Sequence, residues 1–222
     1  MKPYYEHAGI TIYHGDCREI LPQVWQDAEA CVTDPPYGMA NDADYSRFSG
    51  GNTRRGPGTR HEAIVGDDCE FDPAMLLNFD KSVIWGANHF WDKLPAGGCG
   101  VWIKRNDAAF GTFLSDAELA YIAGIKGVYC FRRVFAGSQK AVDAGFDAYI
   151  PSAHPNQKPV ELMAWCFRFV GDAKTICDPY MGSGTTLVAA KREGKSAIGI
   201  EIEEKYCEIA AKRLSQEVLC FE

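Results

Sequence analysis

The sequence has 222 residues, of which 46% are hydrophobic and 24% charged, and its net charge is −7. That length suits one large domain, and the composition excludes a disordered acidic tail and a coiled coil. No stretch approaches the roughly 18 consecutive apolar residues of a membrane span, and Met1 to His7 lack the apolar core of a secretory signal, so a cytoplasmic protein with no membrane partner is expected.

Gly9 to His14 is β-branched and aromatic and predicts a strand ending at Gly15-Asp16. From Cys17 to Gln26 the apolar residues Ile20, Leu21, Val24 and Trp25 recur at a helical period, with Pro22 marking a start or a kink. Ala28 to Thr33 predicts a second strand, stopped by Asp34-Pro35-Pro36. From Gly38 to about Asp68 there is no periodicity, and Gly, Asn, Ser and Arg abound; structureless loops longer than roughly 12–15 residues are usually functional or disordered. A short helix at Pro73–Phe79, a strand at Ser82–Trp85, a helix near Asn88–Leu94 and a strand at Gly100–Lys104 follow. Glu118–Ile125 and Gly127–Phe135 read as a strand pair near a sheet edge. Pro159–Phe169 is an amphipathic helix, Thr175–Cys177 a short buried strand, and Thr185–Arg192 a helix entered through Gly182-Ser183-Gly184. Ser196–Ile200 is a strand ending at Glu201, and Lys205–Leu214 a last helix. Strands separated by helices imply βαβ units and a mostly parallel sheet covered by helices on both faces. The expectation is one α/β domain over residues 1–222 with long insertions.

Two strand-end segments carry chemistry. In Asp178-Pro179-Tyr180-Met181-Gly182-Ser183-Gly184-Thr185-Thr186, glycines at a strand-to-helix turn let the backbone approach a ligand, and the helix start offers N–H groups to an anion. A third glycine is missing, so the turn suits a compact anion such as an amino-acid carboxylate better than a pyrophosphate. Glu201, at the tip of the next strand, is placed to accept hydrogen bonds from ribose hydroxyls. Taken alone, the turn also reads as an ordinary Gly-rich connection beside a solvated acid. In Thr33-Asp34-Pro35-Pro36-Tyr37-Gly38, two prolines fix the backbone and remove two donors, leaving carbonyls as acceptors. Asp34 adds an anionic acceptor and Tyr37 a ring that can stack on another ring. Together they suit an exocyclic amine, against the plainer reading of a strand stop with a surface tyrosine.

These segments, in this order, resemble the amino-directed DNA methyltransferases that use S-adenosylmethionine, in the permuted or β-class order where the catalytic motif precedes the cofactor motif. His154-Pro155-Asn156-Gln157-Lys158-Pro159-Val160-Glu161-Leu162 is similar to the family's HPxQKPxxL segment, and Gly15-Asp16-Cys17 to its GDC element. The resemblance implies a permuted, Rossmann-like methyltransferase fold. It implies that Asp34 and the Pro35 carbonyl hold the target amine, with Pro36 and Tyr37 completing the catalytic motif and Tyr37 stacking on the flipped base. It implies S-adenosylmethionine at Asp178, Tyr180, Gly182, Ser183, Gly184, Thr185 and Thr186, with Glu201 on the ribose, Asp16 and Cys17 near the adenine, and Lys158 helping to hold the methionine carboxylate. It further implies a bacterial or phage-encoded enzyme that methylates the N6 amine of a flipped-out adenine in double-stranded DNA, as part of a restriction-modification pair or as an orphan, and as a monomer or homodimer. An N4-cytosine enzyme, an RNA or nucleotide amino-methyltransferase and an inactive nucleic-acid-binding relative are the alternatives. A nicotinamide dehydrogenase is excluded by the missing third glycine and by Asp34-Pro35-Pro36-Tyr37.

The charge pattern fits a polyanionic partner despite the net charge. Arg47, Arg54, Arg55 and Arg60 fall in an acid-free window, as do Lys126, Arg132, Arg133 and Lys140; the two windows hold eight of the 23 basic residues. Such islands focus a local positive field, and Tyr45 and Phe48 could wedge or stack. The DNA contacts are therefore expected from an insertion at about 39–68, through Arg47, Arg54, Arg55 and Arg60, and from a region at about 119–142, through Arg132 and Arg133. His89 reads as structural, and the acids from Asp116 to Glu118 as the start of a strand or a helix cap that could line the base pocket. Nine cysteines lie no closer than 11 apart, which excludes a zinc knuckle and predicts reduced, mostly buried thiols and no metal.

Overall fold

The computed structural model describes residues 1–38, 66, 68–105, 110–111, 115–134 and 157–215. Among them are nine strands: β1 (Tyr5–His7), β2 (Ile10–His14), β3 (Ala30–Thr33), β4 (Ser82–Trp85), β5 (Gly98–Ile103), β6 (Ala117–Ile122), β7 (Val128–Arg132), β8 (Thr175–Asp178) and β9 (Ser196–Glu201). The α-helices are α1 (Cys17–Val24), α2 (Val160–Cys166), α3 (Thr185–Arg192) and α4 (Glu204–Ser215). One sheet takes the order β1-β2-β9-β8-β3-β4-β6-β5-β7. Its middle, β2-β9-β8-β3-β4, is parallel throughout.

The sheet is packed on both faces, because its central strands alternate between two cores. Val32, Val83 and Trp85 face a core built with Leu162 and Met163 of α2, Leu187 of α3 and Ala210 and Leu214 of α4. Cys31, Ile84 and Ile200 face the other, with Ile20, Leu21 and Val24 of α1 and the aromatic residues Phe79 and Phe90. Apolar residues at successive strand positions therefore mark burial on both sides. All eight described cysteines are unpaired, and five of them are buried, as the sequence predicts.

Four details differ from the expected pattern. A strand absent from the sequence reading, β1, pairs antiparallel with β2 through the two-residue turn Ala8-Gly9, where both φ angles are positive (49° and 78°); such turns match the twist of a hairpin. The helix expected at 73–79 is a single 3-10 turn, Leu76–Asn78. The helix expected at 88–94 is two 3-10 turns, Ala87–His89 and Trp91–Lys93, because Phe90 is buried at φ −145° between them, which no continuous helix tolerates. Finally, β6 and β7 do not pair with each other. Strand β5 lies between them, antiparallel to β6 and parallel to β7. The buried run Ala120–Ile122 takes neighbours on both sides, while the mostly exposed β7 occupies the edge. The amino-terminal part of the 119–142 window is thus an interior strand.

Candidate active site

In parallel strands the carboxyl ends all emerge on one side. Here they deliver, in spatial order along the sheet, Gly15-Asp16 after β2, Glu201 at the end of β9, Asp178 at the end of β8, Asp34 after β3 and Gly86 after β4. The chain runs from β8 to β9 in one direction and from β3 to β4 in the other. The crevice where connections diverge, the usual ligand site of an open α/β sheet, therefore lies between Asp178 and Asp34. The Thr33 hydroxyl donates across it to Asp178 Oδ1 at 2.6 Å. A cavity of about 730 Å³ runs along this edge and brings together Asp16, Asp34, Tyr37, Lys158, Gly182 and Glu201. Pro35, Pro36, Cys17, Asp178, Tyr180, Ser183, Thr185 and Thr186 also line it, so residues from five separate segments meet in one place.

At one end stands the Asp34-Pro35-Pro36-Tyr37 motif. The Tyr37 hydroxyl donates to Asp34 Oδ1 at 2.5 Å, and the Lys158 ammonium to Oδ2 at 2.5 Å. Burial pushes the Asp34 carboxyl above its ordinary value, against the pull of Lys158, and burial with the Asp34 charge raises the Tyr37 phenol well above its own. The Tyr37 ring stacks on His89, centroids 4.9 Å apart and planes 17° from parallel. His89, itself exposed, thus packs on one face of the ring. Gly86 makes room for this ring: at φ +76° it takes a left-handed conformation, and a Cβ there would lie 1.9 Å from Tyr37.

Lys158 lies where the sequence reading did not place its partners. Only 7% of its side chain is exposed, and besides Asp34 it meets Glu118 Oε2 at 3.0 Å. Burial disfavours its charge, but the two carboxylates outweigh that and raise its pKa well above the ordinary value. Glu118 is in turn paired with Lys104 at 2.8 Å. Burial pushes the Glu118 carboxyl up, yet Lys158 and Lys104 prevail and hold it at about 2. Residue Lys104, at the tip of a predicted strand, carried no signal of this role.

At the other end is the Gly-rich turn. Asp178 is buried and accepts the Tyr180 N–H at 3.1 Å besides the Thr33 hydroxyl, and burial pushes its carboxyl up to about 6. Glu201 accepts two backbone N–H groups, from Gly182 at 3.0 Å and Glu203 at 2.8 Å, while burial raises its pKa. It therefore shapes the turn as well as lining the cavity. Gly184, at φ +78°, begins α3, and a Cβ on it would meet Ala210 of α4 at 2.7 Å. Its missing side chain thus serves helix packing. Arg213 of α4, unremarked in the sequence, donates to the Ser183 carbonyl at 2.5 Å and to the Ser183 and Thr185 hydroxyls at 3.1 and 3.4 Å. Burial lowers its pKa to about 10, still cationic at neutral pH. Asp16 caps α1, accepting the Arg18 N–H at 2.8 Å and pairing with its guanidinium, which holds the carboxyl below its ordinary value. Cys17 is buried, and its thiol is raised by burial despite a hydrogen bond with Tyr180.

Chemically, one end of the cavity offers carboxylate acceptors beside an aromatic ring. The other offers acidic acceptors at Asp16 and Glu201 and a turn backed by an arginine cation. These donors and acceptors fit a nucleoside joined to a short charged chain. Among the described residues no cluster of His, Cys, Asp and Glu could hold a metal ion. Of the residues expected to touch DNA, Arg132 is exposed at the end of β7, and Arg133 pairs with Glu161 at 3.4 Å. Arg47, Arg54, Arg55 and Arg60 lie outside the described residues, with most of the 39–68 insertion, Tyr45, Phe48, Lys140 and His154 to Asn156.

Comparison with known proteins agrees with this geometry. A family described as DNA methylase matches residues 104–212, about half of the chain. The chain is 26% identical over 263 aligned positions to the Type II methyltransferase M.ScaI of Streptomyces caespitosus, covering 97% of this chain and 84% of that protein. A 65-residue stretch is 46% identical to the Type II methyltransferase M2.DpnII of Streptococcus pneumoniae, covering 29% of this chain and 24% of the relative. The fold is similar to that of the cytosine-N4-specific PvuII DNA methyltransferase, with a TM-score of 0.60, 14% identity and coverage of 98% and 90% of the two chains. It is similar also to M1.HpyAVI solved as a complex with SAM, with a TM-score of 0.54, 23% identity and coverage of 93% and 100%.

Proposed function

The family of this chain is that of the S-adenosylmethionine-dependent amino-directed DNA methyltransferases, and on that premise we propose that it methylates the N6 amine of an adenine flipped out of double-stranded DNA. One observation carries the reading: the amine-holding motif and the Gly-rich turn, 144 residues apart at Asp34 and Asp178, share a single cavity at the sheet's switch point. The cofactor is S-adenosylmethionine. Glu201 would accept from its ribose, the turn Gly182–Thr186 with Arg213 behind it would hold the amino-acid end, and Asp16 and Cys17 would face the adenine.

Bound there, S-adenosylmethionine would supply an activated methyl on its sulfonium for attack by the amine lone pair, with the neutral thioether as leaving group. The protein's part is positioning and electrostatics. An adenine amine has its lone pair delocalised into the ring. Asp34 and the Pro35 carbonyl accept its two N–H bonds, which favours a pyramidal nitrogen and exposes the lone pair. The proton that leaves the methylated nitrogen passes to the Asp34 carboxylate and then to solvent. Tyr37, braced by His89, offers its other face to the extruded base. Flipping the base costs a few kcal/mol, offset by stacking and by these hydrogen bonds. DNA is held by Arg47, Arg54, Arg55, Arg60 and Arg132, while Arg133, already paired with Glu161, has a lesser part.

The preference for adenine rests on the aspartate that opens Asp34-Pro35-Pro36-Tyr37, since the family tendency places serine there in cytosine enzymes. Cytosine N4 presents the same amine chemistry and is the second reading. Mass spectrometry of nucleosides from DNA of cells expressing the protein decides between them. N6-methyladenine is expected, N4-methylcytosine would overturn the base assignment, and unmodified DNA alongside methylated RNA would overturn the substrate.

A further inference from the structure

Four charged side chains from four segments form a partly buried ladder behind the amine-holding motif, with Lys158 its buried member. Lys104 at the end of β5 meets Glu118 of β6 at 2.8 Å, Glu118 meets Lys158 at 3.0 Å, and Lys158 meets Asp34 at 2.5 Å. The charges alternate and cancel, two of each sign. Of these, Asp34 and Lys158 line the cavity and Glu118 does not. We propose that Glu118 is a positioning residue for methyl transfer: it holds Lys158 between two carboxylates, and through that shared lysine sets where Asp34 sits and how readily it takes a proton. This rests on the reading of Asp34 given above.

The physical reason lies in the competition for Asp34. Its Oδ1 already accepts from Tyr37 and its Oδ2 from Lys158. An incoming amine needs acceptor capacity on the same carboxylate. A lysine with no other partner would collapse onto Asp34, because a buried ammonium is poorly stabilised by one carboxylate alone. Glu118, 3.0 Å from the same ammonium, shares its charge with Asp34, and Lys104 keeps Glu118 ionised. Asp34 is then charged and oriented without being saturated. The other titratable groups facing it are Asp178 from β8 and the Cys166 thiol from α2, and neither is changed by altering Glu118.

The signs of the expected effects follow from Coulomb's law in a poorly screened site. Removing the negative charge of Glu118 makes Asp34 easier to ionise. Removing the positive charge of Lys104 makes it harder. Methyl transfer to duplex DNA by the full chain, measured against pH, therefore has an acid limb that moves down by about 0.5–1 unit in Glu118→Gln and up by a similar amount in Lys104→Gln. In Glu118→Gln kcat falls, while KM for S-adenosylmethionine stays within about threefold because Glu118 lies outside the cavity. The Asp34 carboxyl resonance in carbon-13-aspartate-labelled protein, without cofactor or DNA, titrates with the same pair of opposite shifts. If either variant does not fold, the other still tests the inference with its own sign. An unmoved limb and unmoved resonance, or shifts in the same direction, would show that Glu118 only packs. If the unaltered protein methylates no nucleic acid, the proposed function fails, and the resonance still judges the ladder.

Discussion

At the scale of single residues, the site divides labour between its two ends. Asp34 lies in the half of the cavity proposed to hold the amine, and its hydrogen bonds go to Tyr37 and Lys158, not to the Gly-rich turn. Asp34→Ala is expected to abolish methyl transfer while leaving S-adenosylmethionine affinity within about tenfold, or 1.4 kcal/mol. Calorimetric titration checks this, and complete loss of cofactor binding would contradict the division. Glu201 belongs to the other half. It accepts from Gly182 and Glu203 and so both contacts the ligand site and shapes it. Glu201→Ala is expected to weaken cofactor binding by roughly 1.5–3 kcal/mol, the range for hydrogen bonds to a charged group. Glu201→Gln retains an acceptor oxygen and is expected to lose less, and normal binding in both would reduce Glu201 to a structural acid.

At the scale of elements, the site depends on close approaches that only glycine allows. Gly86, directly after β4, lets Tyr37 lie between Asp34 and His89. Gly86→Ala adds a methyl inside the ring's contact distance at a left-handed φ. The overpacking and the strained backbone together are expected to cost about 2–4 kcal/mol, and to displace Tyr37 so that transfer falls far more than cofactor affinity. Denaturant unfolding gives the first quantity and single-turnover methylation the second; an unaltered turnover rate would show that Tyr37 need not sit on His89. The elements at the Gly-rich turn were legible beforehand: the helix Thr185–Arg192 lies where its period and entry predict. The 3-10 turns around Phe90 were not, because a hydrophobic spacing of three or four does not say whether an intervening residue must turn inward. Nor was the order of β5, β6 and β7, since adjacency along the chain is a weak guide to adjacency in a sheet.

For the whole molecule, the contrast is between an acidic body and two basic windows. We expect Arg54→Ala with Arg55→Ala to weaken DNA binding and to reduce the slope of log affinity against log salt by about two, roughly one per phosphate contact. Cofactor affinity is expected to stay the same. Salt titrations on matched and scrambled duplexes check this, and identical slopes would transfer the recognition role to Lys126 and Arg132. By itself the sequence determined the class of fold and the strand-end positions of Asp34, Asp178 and Glu201, because short-range patterns and strand-stopping residues encode each of them locally. The tertiary structure alone decided that these ends lie side by side, since parallel pairing across the switch point depends on contacts between segments more than 100 residues apart. It alone also decided that Lys158 pairs with Asp34, that Glu118 and Lys104 stand behind it, and that Arg213 backs the turn. A charged side chain carries no mark of its partner in the sequence, and burial beside an opposite charge is a property that only the packed chain possesses.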